Sequence, residues 1–244
     1  MSKRIFISVV TLLCMPLFAF GISTTDVDSV ELSPKQQQMA EIIDLSGLTG
    51  LSLQARNLAQ QALNEAAAPI GKQYEVVGAI AAVWAPEQLR KQLEKTLANY
   101  SAEQLNQLES TLRNQRLLAA RDREQRAVAE QDSQDYAHYM QRLSAQAVAE
   151  SRMRYIKDLD SAMQFSSMLL QTRESVYNKL GQNLSGWQPD KQWQQSLQKD
   201  VSGFLLYVHR STSNEELQRL AQAYQQPQLQ AWFKQVGQVL QQKR

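Results

Sequence analysis

The sequence predicts an all-α protein: a helical bundle or bundles, in two approximately repeated halves joined by long helices. Three observations carry this. From Glu87 through Leu180 there is neither glycine nor proline, a run that helices accommodate and turn-rich sheets do not. Apolar residues recur at three- and four-residue spacing along most of the chain. No segment alternates apolar and polar residues, and no Asn-Gly or Asp-Gly turn joins two such runs. Glutamine, 35 of 244 residues, is interleaved with Leu and Ala at helical spacing and reads as uncharged helix surface.

Lys3 and Arg4 precede an apolar stretch from Ile5 to Phe20, and Ala19-Phe20-Gly21 follows the small-residue pattern of a cleavage site. Residues 1–21 are therefore expected to be a signal peptide cut after Gly21, with a periplasmic destination. A retained anchor would need roughly 20 apolar residues, and Pro16 interrupts this shorter run. Lipidation at Cys14 is disfavoured because Leu13 precedes it, in mid-run. The only cysteine leaves with the signal, so the mature chain is expected to have no disulfide and no thiol chemistry.

Removing Lys3 and Arg4 from 26 basic residues leaves 24 against 24 acidic ones. A neutral chain has no global field for phosphate backbones, so nucleic acid is not an expected partner. No membrane span is expected in the mature chain either.

Residues 22–33 read as a flexible leader. Ser33-Pro34 opens a first helix reaching Leu45, with Gly47 and Gly50 after it. Leu51, Ala55, Leu58, Ala62 and Ala66 face inward on a second, stopped by Pro69; Tyr74, Val77, Ile80, Ala81 and Trp84 do so on a third. Pro86 starts a helix with Leu89, Leu93 and Leu97 inward, and Ser101 with Gln104 makes a capping box for the next. The charge run Arg121–Arg126 reads as a solvated helix face. The apolar period returns at Tyr136, Tyr139, Met140, Leu143 and Ala147 and continues through Ile156, Leu159 and Met163, until Gly181, Gly186 and Pro189. Trp193, Leu197, Val201 and Leu205 mark a further helix, Asn214 begins another that Pro227 ends, and Leu229, Trp232, Phe233, Val236 and Leu240 mark the last.

Two passages recur in order. Trp84-Ala-Pro86-Glu87 returns as Trp187-Gln-Pro189-Asp190, and Ser101-Ala-Glu103-Gln-Leu105 as Ser213-Asn-Glu215-Glu-Leu217, the register holding to Leu117 with Leu229. Residues 34–130 and 145–244 are thus expected to be related halves with 131–144 connecting them. An insertion of about two helical turns in one copy would reconcile the spacings, and Pro189 should start a helix as Pro86 does.

Thr212-Ser213-Asn-Glu215-Glu216-Leu217-x-x-Leu220-x-x-Ala223-Tyr224-x-x-Pro227, followed by Trp232-Phe233, resembles the end of a helical domain of unknown function found in secreted proteobacterial proteins. Leu45-Ser-Gly47-Leu-Thr-Gly50 is similar to a hairpin turn of that family. The first half differs at Leu112 and Gln115, where the pattern has Tyr and Pro. The resemblance implies a periplasmic helical domain without an assigned activity.

Candidate chemistry is sparse. Asp135-x-x-His138 puts a carboxylate and an imidazole on one helix face but lacks the third ligand a metal needs. His209 is expected at a helix C-terminus, where a cation suits the dipole. There is no Gly-x-Ser-x-Gly or His-Glu-x-x-His motif. No catalytic residue, cofactor or metal is therefore expected. The expected function is a non-catalytic interaction or accessory factor with an unidentified partner. The alternative is a binder of an amphiphile or peptide in an aromatic-lined groove between the halves, formed by Trp84, Trp187, Trp193, Tyr224, Trp232 and Phe233.

Overall fold

The structure is a computed structural model and describes residues 32–243. The expected signal peptide lies outside them, as does all of the expected leader except Leu32 and Ser33. The described residues form twelve helices and no strand: α1 (Pro34–Ser46), α2 (Gly50–Glu65), α3 (Ile70–Trp84), α4 (Pro86–Ala98), α5 (Ala102–Leu112), α6 (Gln115–Ala129), α7 (Gln134–Ala145), α8 (Glu150–Met163), α9 (Phe165–Asn183), α10 (Trp193–Val208), α11 (Asn214–Tyr224) and α12 (Pro227–Gln241). None is long and apolar enough to cross a membrane. The glycine- and proline-free block is broken into six helices. Ser101, Asn114 and Ser133 end runs there by accepting main-chain N–H groups of the following helix.

Two sets of helices correspond in length, register and burial. The pair α5 and α6 matches α11 and α12 at a constant offset of 112 residues (Ala102 to Asn214, Gln115 to Pro227), with equal lengths of 11 and 15 residues. On the same offset Leu89 and Leu93 of α4 meet Val201 and Leu205 of α10, all buried. The pair α1 and α2 matches α8 and α9 at an offset of 117 (Gly47 to Gln164). Both of these linking residues are left-handed, at φ 69° and 51°. Leu51, Ala55, Ala59 and Leu63 then fall on Met168, Thr172, Val176 and Leu180, all buried.

The extra residues therefore sit in the first half, between α2 and α4, where α3 lies. Pro189 starts no helix; α10 begins at Trp193. The Trp-x-Pro likeness thus aligns a helix end with a loop.

Most of the helices pack in two groups of four. One bundle is α1, α4, α5 and α12; the other is α8, α10, α11 and α6. Between them α2 packs on α9, α3 packs on α2, α4 and α9, and α7 packs on α10. The core is correspondingly continuous, with Ile42, Leu93, Leu105 and Trp232 fully buried in one bundle and Leu159, Leu205 and Leu217 in the other.

On α3 the buried face is Val76, Ile80 and Trp84, leaving Ile70 and Tyr74 at 71% and 77% exposure. Tyr74 and Ala81, expected inward, point outward, because this helix carries apolar residues nearly all round and α2, α4 and α9 cover only one side of it. The charge run also departs from a uniformly solvated face. Glu124 is 8% exposed, since α6 lies across α10 and α11.

Candidate functional site

The six aromatic residues expected to share a groove fall into four separate places. Trp84 is buried, its indole N–H donating to Ser175 Oγ at 3.1 Å, while the Lys243 ammonium lies 5.0 Å from its ring centroid. Trp187 and Trp193 are half-buried and pack on Tyr177 of α9, with ring centroids 5.3 and 5.1 Å away. Arg173 of α9, buried, and Asp200 of α10 attract each other near Tyr177; burial pushes the guanidinium down and the carboxyl up. Tyr224 stacks on Phe233 at 6.4 Å between α11 and α12, whereas Trp232 sits under α12 with Tyr100 edge-on to it at 6.4 Å and 87°. Trp84, Trp232 and Phe233 belong to the core, and Trp187, Trp193 and Tyr224 lie half-buried against it.

The groove between the halves is lined by amides. About 890 Å³ in volume, it runs between α4 and α5 on one side and α12 on the other. Its walls carry Gln92, Thr96 and Asn99 from α4 and its end, Gln104 and Gln107 from α5, and Gln228, Gln235, Gln238 and Gln242 from α12. Of its lining residues only Lys95 carries a charge. The cause is topological: α12 crosses onto α4 and α5, so glutamines that keep three separate helices polar come to face one another.

Part of its lining is polar and unsatisfied. Gln92 Oε1, Gln235 Oε1 and Tyr100 OH are buried with no hydrogen-bond partner among the described residues. Each orphan of this kind costs about 1–3 kcal/mol. Burial also pushes the Tyr100 phenol up, keeping it a neutral donor.

The equivalent seam in the other bundle is closed. At the offset of 112, Gln228, Gln235 and Gln242 are replaced by Arg116, Arg123 and Glu130, and Gln104 by Glu216. Arg116 Nε pairs with Glu216 at 3.2 Å across one end. At the other end Tyr207 OH donates to Glu130 at 2.6 Å and Arg210 pairs with the same carboxylate at 3.2 Å. Burial, then the Glu130 bond, push the Tyr207 phenol up to about 12. The connecting helix α7 adds a cover: Tyr136 and Tyr139 pack edge-on against Tyr207, and Tyr139 OH donates to Leu206 O at 3.0 Å. A cavity of about 620 Å³ remains on the outside of this cover, bordered by Asp135, His138 and Arg142. Asp135 and His138 are exposed there. Among the described residues no three His, Cys, Asp or Glu side chains converge as a metal ion requires.

His209 is at the C-terminus of α10 but is not the cation expected there. It is fully buried, and burial, then Arg123 and Arg152, push the imidazole down to about 3, so it is neutral. Arg152 of α8 supplies the cation instead, donating to the carbonyls of His209 and Thr212 and to Asn214 Oδ1.

Comparison of the chain with protein families, with curated proteins and with solved structures finds no match.

Proposed function

We propose that the protein is exported to the periplasm and acts there as a non-catalytic interaction or accessory factor. Its working surface is the amide-lined groove between α4, α5 and α12. The observation that carries this reading is the difference between two equivalent seams. One is bridged by Arg116–Glu216 and Glu130–Tyr207 and covered by α7; the other is open and lined by amides, and although both keep buried polar atoms without partners among the described residues, only those of the open groove border a cavity that a partner can enter. A partner bound in the open groove would satisfy Gln92 and Gln235 there. Export rests on the charged, apolar and small-residue pattern of residues 1–21.

The alternative of an amphiphile against aromatic walls loses support, since the rings it needs are dispersed. A peptide remains compatible with the amides. Native mass spectrometry of the protein purified from its own host tests the proposal. The chain is expected to begin at Ile22 and to carry a stoichiometric partner, which a Gln235→Leu variant releases. An intact N-terminus or an acylated Cys14 would overturn export, and a bare chain in both preparations would overturn the binding reading.

A further inference from the structure

We infer that the ligand of this groove is an extended, uncharged peptide segment held by its main chain. The inference rests on the reading of the groove as a binding site and adds the chemistry that fills it. A carboxamide offers an N–H donor and a carbonyl acceptor, the same pair as a peptide unit, so a wall of glutamines is complementary to a backbone whatever its side chains.

Spacing supports this. Gln228, Gln235 and Gln242 follow one another at seven residues along one side of α12 and all line the groove. At a helical rise of 1.5 Å, seven residues advance about 10.5 Å, close to the roughly 10 Å covered by three residues of extended chain. Gln92 and Asn99 on the facing wall have the same separation. A strand's N–H and C=O groups alternate between its two sides, so Gln228 and Gln242, 14 residues and about 21 Å apart, meet groups about six residues apart on the same side of a strand laid between the walls.

The lining supplies what such a strand would use. Gln92 Oε1 and Gln235 Oε1 are acceptors without donors, and Tyr100 OH is buried at 9% exposure without a partner. Main-chain N–H groups entering between the walls would satisfy the two oxygens.

Other polymers fit less well. With Lys95 as the single charge, the lining has nothing to hold a polyanion. A glycan needs an exposed aromatic face for its apolar sugar surface. The one ring in the lining, Tyr100, is buried and set edge-on against Trp232 behind it.

The test uses the full mature chain and three probes: a pool of end-blocked nonapeptides of uncharged residues, the same pool N-methylated at every second peptide nitrogen, and chitohexaose. The readout is the NMR shift of the glutamine side-chain amides. The first pool is expected to move Gln92, Gln228, Gln235 and Gln242, and N-methylation, which removes donors but leaves side chains, is expected to weaken it about tenfold or more. Gln235→Leu should weaken the same pool without lowering the melting temperature, because it also removes a buried oxygen that lacks a partner. Equal binding by the N-methylated pool, or binding by chitohexaose instead, would overturn main-chain recognition while leaving the groove a binding site. Silence from all three probes would overturn both.

Discussion

Arg123 of α6 and Gln235 of α12 occupy the same place in the two bundles, and each buries a side-chain atom with no hydrogen-bond partner among the described residues, Nε in one and Oε1 in the other. Around Arg123 the seam is nonetheless shut by its neighbours, so the two orphans differ in what can reach them. The closing contact with most structure behind it is Tyr207 to Glu130.

Tyr207→Phe removes that hydroxyl and keeps the ring packed between Tyr136 and Tyr139. Glu130 retains Arg210, so the expected loss is about 1.5–3 kcal/mol, the worth of one hydrogen bond to a charged group. Urea denaturation of the two proteins measures it. A loss beyond the cost of a cavity mutation would mean that the ring itself had shifted.

Trp84 and Trp187 should respond differently to truncation. Trp84 is 2% exposed and joins α3 to α9 through Ser175, which in turn donates to the Lys243 carbonyl at 2.6 Å. Trp84→Ala is expected to cost about 3–5 kcal/mol. Trp187 packs one side on Tyr177 and is half-buried, so Trp187→Ala should cost about 1–2 kcal/mol by area lost. Equal losses in chemical denaturation would restore the equivalence that the Trp-x-Pro likeness suggests.

The helices were legible because Leu89, Leu93, Leu97, Leu105 and Leu108 repeat at helical spacing and Ser33 and Ser101 announce caps, and all of these hold in the structure. Ser101 and Ser213 were legible as caps as well, and each opens a helix of 11 residues. Tyr74 was misplaced because α3 lacks a polar face to mark its outside. Glu124 was misplaced for the opposite reason: a carboxylate among Arg121, Arg123 and Arg126 reads as surface until α10 and α11 are laid over it. The groove left no sequence signal. Glutamine on a helix surface looks the same whether it faces water or another glutamine, and only the crossing of α12 onto α4 and α5 brings the walls together.

The hinge residues Gly47 and Gln164 give an opposed pair of variants. Each holds a left-handed conformation between two helices. Gly47→Ala adds a Cβ to that conformation and should cost about 1 kcal/mol or more. Gln164→Gly relieves a similar strain but gives up a 3.2 Å bond to Gln230, so its net gain should stay below about 1 kcal/mol. Thermal unfolding of the two variants checks the signs, and a stabilised Gly47→Ala would contradict the hinge geometry.

Glu124 and His209 set the pH dependence from opposite sides. The Glu124 carboxyl is pushed up from 4.5 to about 7 by burial, against the weaker pull of Arg121 and Arg123. Below pH 4.5 it is protonated in both states. As pH rises toward 7 the unfolded chain ionises while the fold holds its proton, so this group's stability is lost over that window, on the order of 3 kcal/mol in total. The His209 imidazole, depressed from 6.5 to about 3, runs the other way. Its contribution is complete above pH 6.5 and is lost as pH falls through 3, on the order of 5 kcal/mol. The two slopes oppose each other between pH 4.5 and 6.5, where the wild type should vary least. The corresponding residues in the other bundle, Val236 and Leu97, are apolar and buried, and they define the variants. Glu124→Val should stabilise the protein at pH 8, with the gain shrinking by about 3 kcal/mol on going to pH 4. His209→Leu should flatten the acid limb below pH 6 and leave the limb above pH 7 unchanged. Denaturation midpoints measured from pH 3 to 9 decide both, and a Glu124→Val gain that is the same at pH 4 and pH 8 would show that the carboxyl ionises freely in the fold.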